Sequence, residues 1–104
     1  MKAREEIPSL DPIYETVRIL SGKWKLQIIA FLINKEKARF MELQRGVIGI
    51  SAKILSAQLQ DLERYGILDR IVSDPKLTVV EYKLTKKGCS LEPLLLTMSV
   101  WAST

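Results

Sequence analysis

Apolar residues recur every three to four positions along the first third of the chain, which is the spacing of one face of a helix. The first predicted helix begins at Asp11-Pro12, with Asp11 as its cap and proline at the first helical position, where an N–H group has no partner to lose. Ser21-Gly22 ends that helix. The second is predicted from Trp24 to about Ile33, and apolar residues on nearly every side indicate that it is the central buried helix.

Two short helices joined by a glycine-marked turn are predicted between Phe40 and Gly66. The first covers 40–45, residues 46–49 break it, and Ser51 caps the second, which ends at Gly66. On a helical wheel the inward half of this second helix is mostly apolar and carries Ile54, Leu55, Gln58, Leu59 and Leu62. The outward half carries Lys53, Ser56, Ala57, Gln60 and Arg64. This layout is typical of a helix-turn-helix, whose second helix can enter a DNA major groove.

Alternating apolar and polar residues predict two strands after that helix, at 67–72 and 79–84. The loop 73–78 between them contains a proline, so the strands form a hairpin, and a hairpin directly after such a helix is a wing. Thr85 caps a last helix that reaches about Trp101. Apolar residues lie on several sides of this last helix. It therefore needs a second surface to cover them, and another copy of the chain is the simplest source.

The composition limits the chain to one small domain. Its 104 residues suffice for a single core, and 47% of them are apolar, which indicates a globular protein. Residues 1–9 are predicted to form a polar arm, and residues 10–104 the domain. The net charge of +4 favours a polyanionic partner without proving one. No stretch is long and apolar enough to span a membrane, and no secretory segment follows the charged start.

Few residues are suited to catalysis. Histidine is absent, which removes the most common general base and every histidine-containing zinc site. The lone cysteine, Cys89, fits a reducing cytoplasm and is expected to be a partly buried packing residue. Glu42, Asp61 and Glu63 are interpreted as surface charge, and Lys25 as a solvated lysine. The sequence therefore predicts no catalytic residue, no metal site and no cofactor, and an enzyme is disfavoured.

Several motifs follow one another in the order found in the HxlR-type winged-helix transcriptional regulators, a branch close to the MarR-like repressors. The chain resembles this family over roughly residues 11–101. The matching motifs are Gly22-Lys23-Trp24-Lys25, Arg39-Phe40-Met41-Glu42-Leu43, Gly49-Ile50-Ser51-Ala52-Lys53-Ile54-Leu55-Ser56, Leu59-Gln60-Asp61-Leu62-Glu63, Gly66-Ile67-Leu68, and Val80-Glu81-Tyr82-Lys83-Leu84-Thr85-Lys86-Lys87-Gly88. The resemblance implies a mainly α fold with a small antiparallel β-hairpin (α+β), that is, a winged helix-turn-helix. It also implies a homodimer that binds a pseudo-palindromic operator in double-stranded DNA.

The same resemblance implies that the N- and C-terminal helices build the dimer. The predicted interface residues are Leu10, Ile13, Val17, Leu91, Leu94, Leu95, Met98 and Trp101. Members of this family often carry a cysteine just before the proline that opens the first helix, and some use it to sense electrophiles or oxidants. Asp11 stands at that place here, so the usual thiol switch is not expected. The regulatory signal is then either a small apolar effector at the dimer interface or no ligand at all.

The predicted DNA contacts lie on the recognition helix, just before the preceding helix, and on the wing. They are Arg39, Ser51, Ala52, Lys53, Ser56, Ala57, Gln60, Arg70 and Lys76. Lys53 is expected to meet a guanine or a phosphate, while Ser56 and Gln60 reach base edges. Ala52 and Ala57 are small enough to meet a thymine methyl group. For each of these residues, an ordinary solvated or helix-forming role is the alternative.

A winged helix that binds other proteins and no DNA is the rival interpretation. Such modules usually lose the basic outward face of the recognition helix and of the wing. This chain keeps Lys53 and Lys76 there, but acidic residues such as Asp69 and Asp74 dilute the positive charge.

Overall fold

The computed structural model describes residues 9–104, so the predicted arm at 1–9 lies outside the described residues except for Ser9. This part of the chain folds into helices and strands in the order α1 Asp11–Leu20, α2 Trp24–Lys35, β1 Lys37–Ala38, α3 Phe40–Gly46, α4 Ala52–Arg64, β2 Leu68–Asp74, β3 Val79–Leu84, α5 Lys86–Cys89 and α6 Glu92–Ala102. The first four helices and both strands of the hairpin lie where predicted, to within about two residues at each end, which is the usual uncertainty of element boundaries.

The sheet contains one strand more than the predicted hairpin. β2 and β3 pair antiparallel, from Leu68 opposite Leu84 to Asp74 opposite Val79. The two-residue β1 pairs with the other edge of β3, where Ala38 lies opposite Tyr82, so the strand order is β1-β3-β2. The expectation of a mainly α fold with a small antiparallel sheet is confirmed, and the arrangement is that of a winged helix.

A single apolar core joins α2, α3, α4 and the base of the sheet. Ile28, Ile29 and Leu32 are at most 1% exposed, which confirms α2 as the central helix. The other buried apolar residues are Leu20, Ala38, Leu43, Val47, Ile50, Leu55, Leu59, Leu62, Ile67, Leu68 and Leu84. Because α2 and α4 share this core, the position of α4 is fixed by packing rather than by its loops.

The C-terminus of α4 is closed as predicted. Gly66 has φ 74°, a left-handed conformation that glycine adopts without steric cost. The N–H of Ile67 donates to the carbonyl oxygen of Leu62 at 2.9 Å, and that of Gly66 donates to Glu63 at 3.0 Å. These two bonds form a Schellman motif, and the buried Ile67 and Leu62 are placed for the apolar contact that usually accompanies it. The chain therefore turns sharply from α4 into β2.

The predicted cap of α1 is wrong by one position. Asp11 is the first helical residue, Leu10 occupies the cap position, and the Leu10 side chain makes no capping bond. The hydroxyl of Ser9 instead accepts from the N–H of Asp11 at 3.1 Å. Since this hydroxyl already satisfies a free N–H group at the start of the helix, the Asp11 carboxylate is not needed as a cap. It is left in the first turn, where the helix dipole favours negative charge.

The predicted last helix is divided in two. Thr85 caps the first piece as expected, because its hydroxyl accepts from the Gly88 N–H at 3.0 Å. That piece, α5, stops at Cys89, and α6 begins only at Glu92. Pro93 explains the break, since it has no N–H to donate to the Cys89 carbonyl and its ring would collide with that group in a continuous helix.

Candidate DNA-binding surface

The recognition helix α4 has one buried side and one exposed side. Leu55, Leu59 and Leu62 are at most 2% exposed and anchor it in the core. The predicted outward residues are all exposed, namely Lys53, Ser56, Ala57, Gln60 and Arg64, and so is the predicted contact Ala52. The helical wheel placed Ile54 on the inward half, and this is wrong, because Ile54 is 40% exposed. Its side chain lies at the edge of the buried face. Polar side chains and small residues therefore share one open face with a single large apolar side chain.

The N-terminus of α4 is held by Ser51. Its hydroxyl oxygen accepts from the N–H of Ile54 at 3.1 Å, which confirms the predicted cap. The first turn of a helix leaves four backbone N–H groups without intrahelical partners, and one hydroxyl satisfies only one of them. The remaining N–H groups and the positive end of the helix dipole favour an anion at this end. Ser51 itself is exposed, so a phosphate can approach it.

Within residues 9–104, no ion pair neutralises the positive charge at the predicted contacts. Among residues 9–104, the ion pairs use Arg18, Lys25, Lys35, Lys37 and Arg64. The predicted cationic contacts are Arg39, Lys53, Arg70 and Lys76, and none of them takes part in these ion pairs. All four are exposed. Arg45 on α3 is exposed as well and has no ion pair in the described range, although it is not among the predicted contacts. The only sequence signal for Arg45 is its place in the first helix of the helix-turn-helix motif.

Arg39 is placed by the start of α3. Its backbone N–H donates to the Glu42 carboxylate at 3.0 Å, which ties the cap position to the first turn of the helix. The hydrogen bond from Arg39, followed by the Lys35 ammonium 3.0 Å away, lowers the pKa of the Glu42 carboxyl below its ordinary value. Glu42 lies at the surface, in keeping with its interpretation as surface charge, and the structure adds a role in holding the start of α3. The Glu42 carboxylate binds the backbone of Arg39, and the Arg39 side chain is exposed at the helix end, where a phosphate can reach it.

The wing presents the two remaining predicted cations. Arg70 lies on β2 opposite Tyr82, and its side chain is exposed. Beyond the strands, the Asp74 carboxylate accepts from the backbone N–H of Lys76 at 3.0 Å and so fixes the tight turn. The exposed Lys76 side chain therefore projects from a turn that Asp74 holds in place.

A buried ion pair braces α4 against α2. Lys25 is only 9% exposed, so its interpretation as a solvated lysine is wrong. Its ammonium nitrogen lies 3.4 Å from a carboxylate oxygen of Asp61, and the other oxygen of Asp61 meets Arg64 one turn further along α4. Asp61 thus has a structural role that the sequence did not indicate, since the pair joins helices far apart in the chain.

A second surface is apolar and lies on α1 and α6. Of the predicted interface residues, Leu10, Ile13, Val17, Leu94, Met98 and Trp101 are exposed. Ile13 and Val17 of α1, Leu26 of α2, and Leu94 and Met98 of α6 line a groove of about 500 Å³. The two other predicted residues, Leu91 and Leu95, pack instead against the chain's own core.

Cys89 is exposed, contrary to the expected partly buried position, because it ends the short helix α5. No helix within the described part of the chain is long and apolar enough to cross a membrane.

Comparison with known proteins agrees with this geometry. The family model of the HxlR-like helix-turn-helix matches residues 19–104. The uncharacterised HTH-type transcriptional regulator YdeP of Bacillus subtilis strain 168 is 39% identical over 90 residues, which cover 86% of this chain and 70% of that protein.

Two solved structures have the same fold over most of their length. The redox regulator HypR in its reduced form has a TM-score of 0.80 and 36% identity, over 89% of this chain and 91% of HypR. The reduced transcriptional regulator YodB from B. subtilis has a TM-score of 0.82 and 30% identity, over 88% of this chain and 89% of YodB. With its helix-turn-helix, its wing and its exposed cations in place, the chain belongs to the HxlR-like helix-turn-helix family.

Proposed function

We propose that the protein is a sequence-specific DNA-binding transcriptional regulator that acts as a homodimer on a pseudo-palindromic operator. The observation that carries this proposal is the exposed face of α4, together with exposed cations before it, on it and on the wing that have no ion pair in the described part of the chain. A double helix of DNA presents regularly spaced phosphates, and neutralising them releases counterions, which is the main source of affinity in such complexes. The family relatives are HTH-type transcriptional regulators, which supports the same conclusion.

In the proposed complex α4 enters the major groove by its N-terminal half. Lys53 contacts a guanine or a phosphate, and Ser56 and Gln60 reach base edges. Ala52 and Ala57 allow the helix to come close to the bases. The residues assigned to the backbone or to the flanking groove are Arg39, Ser51, Arg70 and Lys76, and to these we add Arg45. Phosphate contacts of this kind fix the register of the protein on the duplex, while α4 supplies the specificity.

The dimer in this proposal is formed by α1 and α6. None of the 11 residues of α6 is buried, although the helix is rich in apolar residues. Leu96, Val100 and Trp101 are 62–78% exposed, and two further residues of α6, Leu94 and Met98, line the apolar groove with α1 and α2. A monomer rarely leaves so much contiguous apolar surface in water. A second copy that inserts its own α1 and α6 covers these residues and brings two α4 helices onto successive major grooves.

DNA binding is tested with genomic fragments retained by the purified protein at low salt. Affinity for a retained fragment is expected to fall steeply as salt rises, because several phosphates are neutralised together. Lys53→Ala is expected to cost about 1–3 kcal/mol of binding free energy. If Lys53 reads a base, the loss is confined to one operator position, and if it binds phosphate, the loss is uniform across sequences.

Lys83→Ala is the matched control. Lys83 is also an exposed lysine without an ion pair among the described residues, but it lies at the base of the sheet opposite Lys37. Its removal is expected to leave the affinity within about twofold, because it lies outside the proposed contact surface. Failure to retain any fragment at low salt would favour the rival interpretation, a winged helix that binds proteins only.

Dimerisation is tested by the sedimentation of two methionine variants. Met98 lines the groove and is 43% exposed, so Met98→Glu is expected to shift the protein toward the monomer. Met41 is a similarly exposed methionine on α3, outside the groove, and Met41→Glu is expected to leave the mass unchanged. Equal masses for both variants and the wild type would contradict the assignment of this interface.

The regulatory signal in this proposal does not pass through a thiol. HypR and YodB are described in reduced forms, and that property belongs to those proteins. Asp11 stands where family members often have cysteine, and Cys89 lies elsewhere, at the end of α5. We propose instead a small apolar effector in the groove at the dimer interface, or no effector. An effector changes the affinity for DNA only if it binds one arrangement of the two protomers better than another.

A thiol oxidant tests this part of the proposal. Operator affinity is expected to be the same with and without the oxidant, both in the wild type and in Cys89→Ser. Release of DNA from the oxidised wild type, absent in Cys89→Ser, would show that Cys89 is a sensor.

A further inference from the structure

Ile54 is the one large apolar side chain on the N-terminal half of α4 that the core does not cover. It is 40% exposed, whereas Leu55 beside it is fully buried. It occupies the third helical position, and its backbone N–H is held by the hydroxyl of Ser51. The side chain is therefore displayed at a fixed place on the first turn of the helix, which is the part of a recognition helix that meets base edges.

The surroundings of Ile54 identify what can cover it. Lys53 and Ala57 are exposed next to it, and Lys53 has no ion pair within the described range. A surface with free positive charge attracts a polyanion, and it does not attract an apolar segment of another protein. The groove assigned to a second copy lies on α1, α2 and α6, and no residue of α4 lines it. The occupant must therefore be a nucleic acid that offers an apolar group.

The major groove contains only one such group on its base edges. The 5-methyl group of thymine is the one apolar substituent that projects into the groove, whereas the other groups that distinguish the base pairs are hydrogen-bond donors or acceptors, and the remaining C–H edges, such as cytosine C5–H, do not project. An isoleucine side chain has no donor or acceptor, so it gains nothing at those positions and would desolvate them. Only contact with the methyl group removes apolar surface from water on both partners.

We infer that Ile54 reads the 5-methyl group of a thymine in each half of the operator. The inference rests on the proposed function, and it adds a specificity-determining residue to the predicted contacts. Ala52 and Ala57 make room for the backbone to approach, and Ile54 supplies the side chain that reaches furthest. Uracil in place of that thymine keeps its hydrogen-bonding groups but loses the contact.

The test uses a duplex that the wild-type protein selects from a random oligonucleotide pool. Each thymine in one half-site is replaced in turn by uracil, and the dissociation constant is measured for every duplex. One replacement is expected to weaken binding by about fourfold, the factor given by burial of one methyl-sized group. In Ile54→Ala that difference between the thymine and uracil duplexes is expected to disappear.

Ile71→Ala is the matched control. Ile71 is also an isoleucine with 40% exposure, but it lies on β2 of the wing. The thymine–uracil difference is expected to persist in this variant. Ile54→Val, which keeps the branched side chain, is expected to retain most of the difference.

The remaining outcomes overturn either the inference alone or the proposed function as well. Tight binding of the wild type with no effect of uracil at any position overturns the inference and leaves the proposed function standing. If every uracil effect seen with the wild type persists in Ile54→Ala, the inference is overturned as well. If Ile54→Ala changes the sedimentation mass, Ile54 is covered by a second copy, which also overturns it. Failure of the wild type to select any duplex overturns the proposed function, and the inference with it.

Discussion

The ammonium nitrogen of Lys25 lies 3.4 Å from the carboxylate of Asp61, and the two residues are 36 positions apart in the sequence. The Lys25 side chain is 11% exposed and that of Asp61 is 34% exposed, so the two ends of this pair differ in their access to water. This unequal exposure decides which end is the more costly to remove.

Asp61→Asn is expected to destabilise the protein more than Lys25→Met. The first change leaves an ammonium buried without a countercharge and is expected to cost about 2–3 kcal/mol of unfolding free energy. This is somewhat less than the cost of breaking a fully buried ion pair, because Asp61 is partly exposed. The second leaves a carboxylate that keeps Arg64 and water as partners, and the methionine fills similar space, so a change within about 1 kcal/mol is expected. Urea unfolding of the two variants measures the difference.

Arg64→Gln is the control for this prediction, because the Arg64–Asp61 pair is exposed on the same helix. Such a pair contributes only about 0.3–0.5 kcal/mol. If Asp61→Asn costs no more than Arg64→Gln, the bracing role of Lys25 is contradicted.

Glu42 makes the start of α3 sensitive to acid. Its folded pKa is lowered, first by the hydrogen bond from the Arg39 N–H and then by Lys35. A lowered folded pKa means that the carboxylate stabilises the protein above the unfolded pKa and loses this effect as the pH falls through the folded pKa. Glu42→Gln is therefore expected to reduce the unfolding free energy at neutral pH and to approach the wild type once the pH has fallen below the folded pKa of Glu42.

Denaturant unfolding across that pH range measures the effect. Glu63→Gln is the control, because Glu63 has no side-chain hydrogen bond or ion pair in the part of the chain that is described. A constant difference between Glu42→Gln and the wild type at every pH would show that the charge of Glu42 is unimportant.

Gly88→Ala is expected to be costly because a backbone atom blocks the space. A Cβ on Gly88 would lie 2.2 Å from the carbonyl oxygen of Ile67, so α5 would have to move away from the start of the wing. We expect a loss on the order of 2–3 kcal/mol in unfolding free energy.

Gly46→Ala provides the comparison. The Cβ would lie 2.0 Å from Cε2 of the half-buried Phe31 ring, but a side chain can turn aside where a backbone carbonyl cannot, so a smaller loss than in Gly88→Ala is expected. Thermal unfolding that ranks Gly46→Ala as the more damaging variant would show that the contact between α5 and the wing is loose.

Glu36→Gly is expected to stabilise the protein. Glu36 has φ 74° and ψ −57°, a strained γ-turn conformation that residues with a Cβ rarely adopt. Relief of about 1–3 kcal/mol of strain exceeds the roughly 0.4–1 kcal/mol by which glycine favours the unfolded chain. Asn34→Gly, inside the last turn of α2, lacks this strain and is expected to lose about 0.5–1 kcal/mol. Urea midpoints that fall in both variants would contradict the prediction.

The elements that local chemistry determines could be predicted from the sequence. The end of α4 requires only Gly66 and an apolar residue after it, and the cap of α4 requires only Ser51. The hairpin follows from alternation within two short segments. These features depend on residues within six positions of one another, so a single sequence is enough to recognise them.

Several of the missed features depend on contacts between distant segments, whereas the break before α6 is local and follows from Pro93. β1 is only two residues long and exists because Ala38 pairs with Tyr82 across 44 positions. Lys25 is a typical surface residue until Asp61 is brought to it. Ile54 was placed inward because a wheel treats every apolar residue as a core residue, whereas its position at the edge of the buried face puts it at the boundary between core and solvent. Tertiary context decides each of these cases.

The connection between α5 and α6 determines how far α6 can tilt relative to the rest of the fold. α5 is locked to the wing, because Gly88 packs on the backbone of Ile67 and Thr85 donates to the Gly66 carbonyl, whereas α6 has no buried residue. A helix of 11 residues is about 16 Å long, so a tilt of about 10° at its base moves its tip by about 3 Å. That displacement is close to the rise of one base pair. In the proposed dimer, a pivot of about 10° at Ser90–Leu91 would therefore put the two α4 helices out of phase with the helical repeat of the duplex.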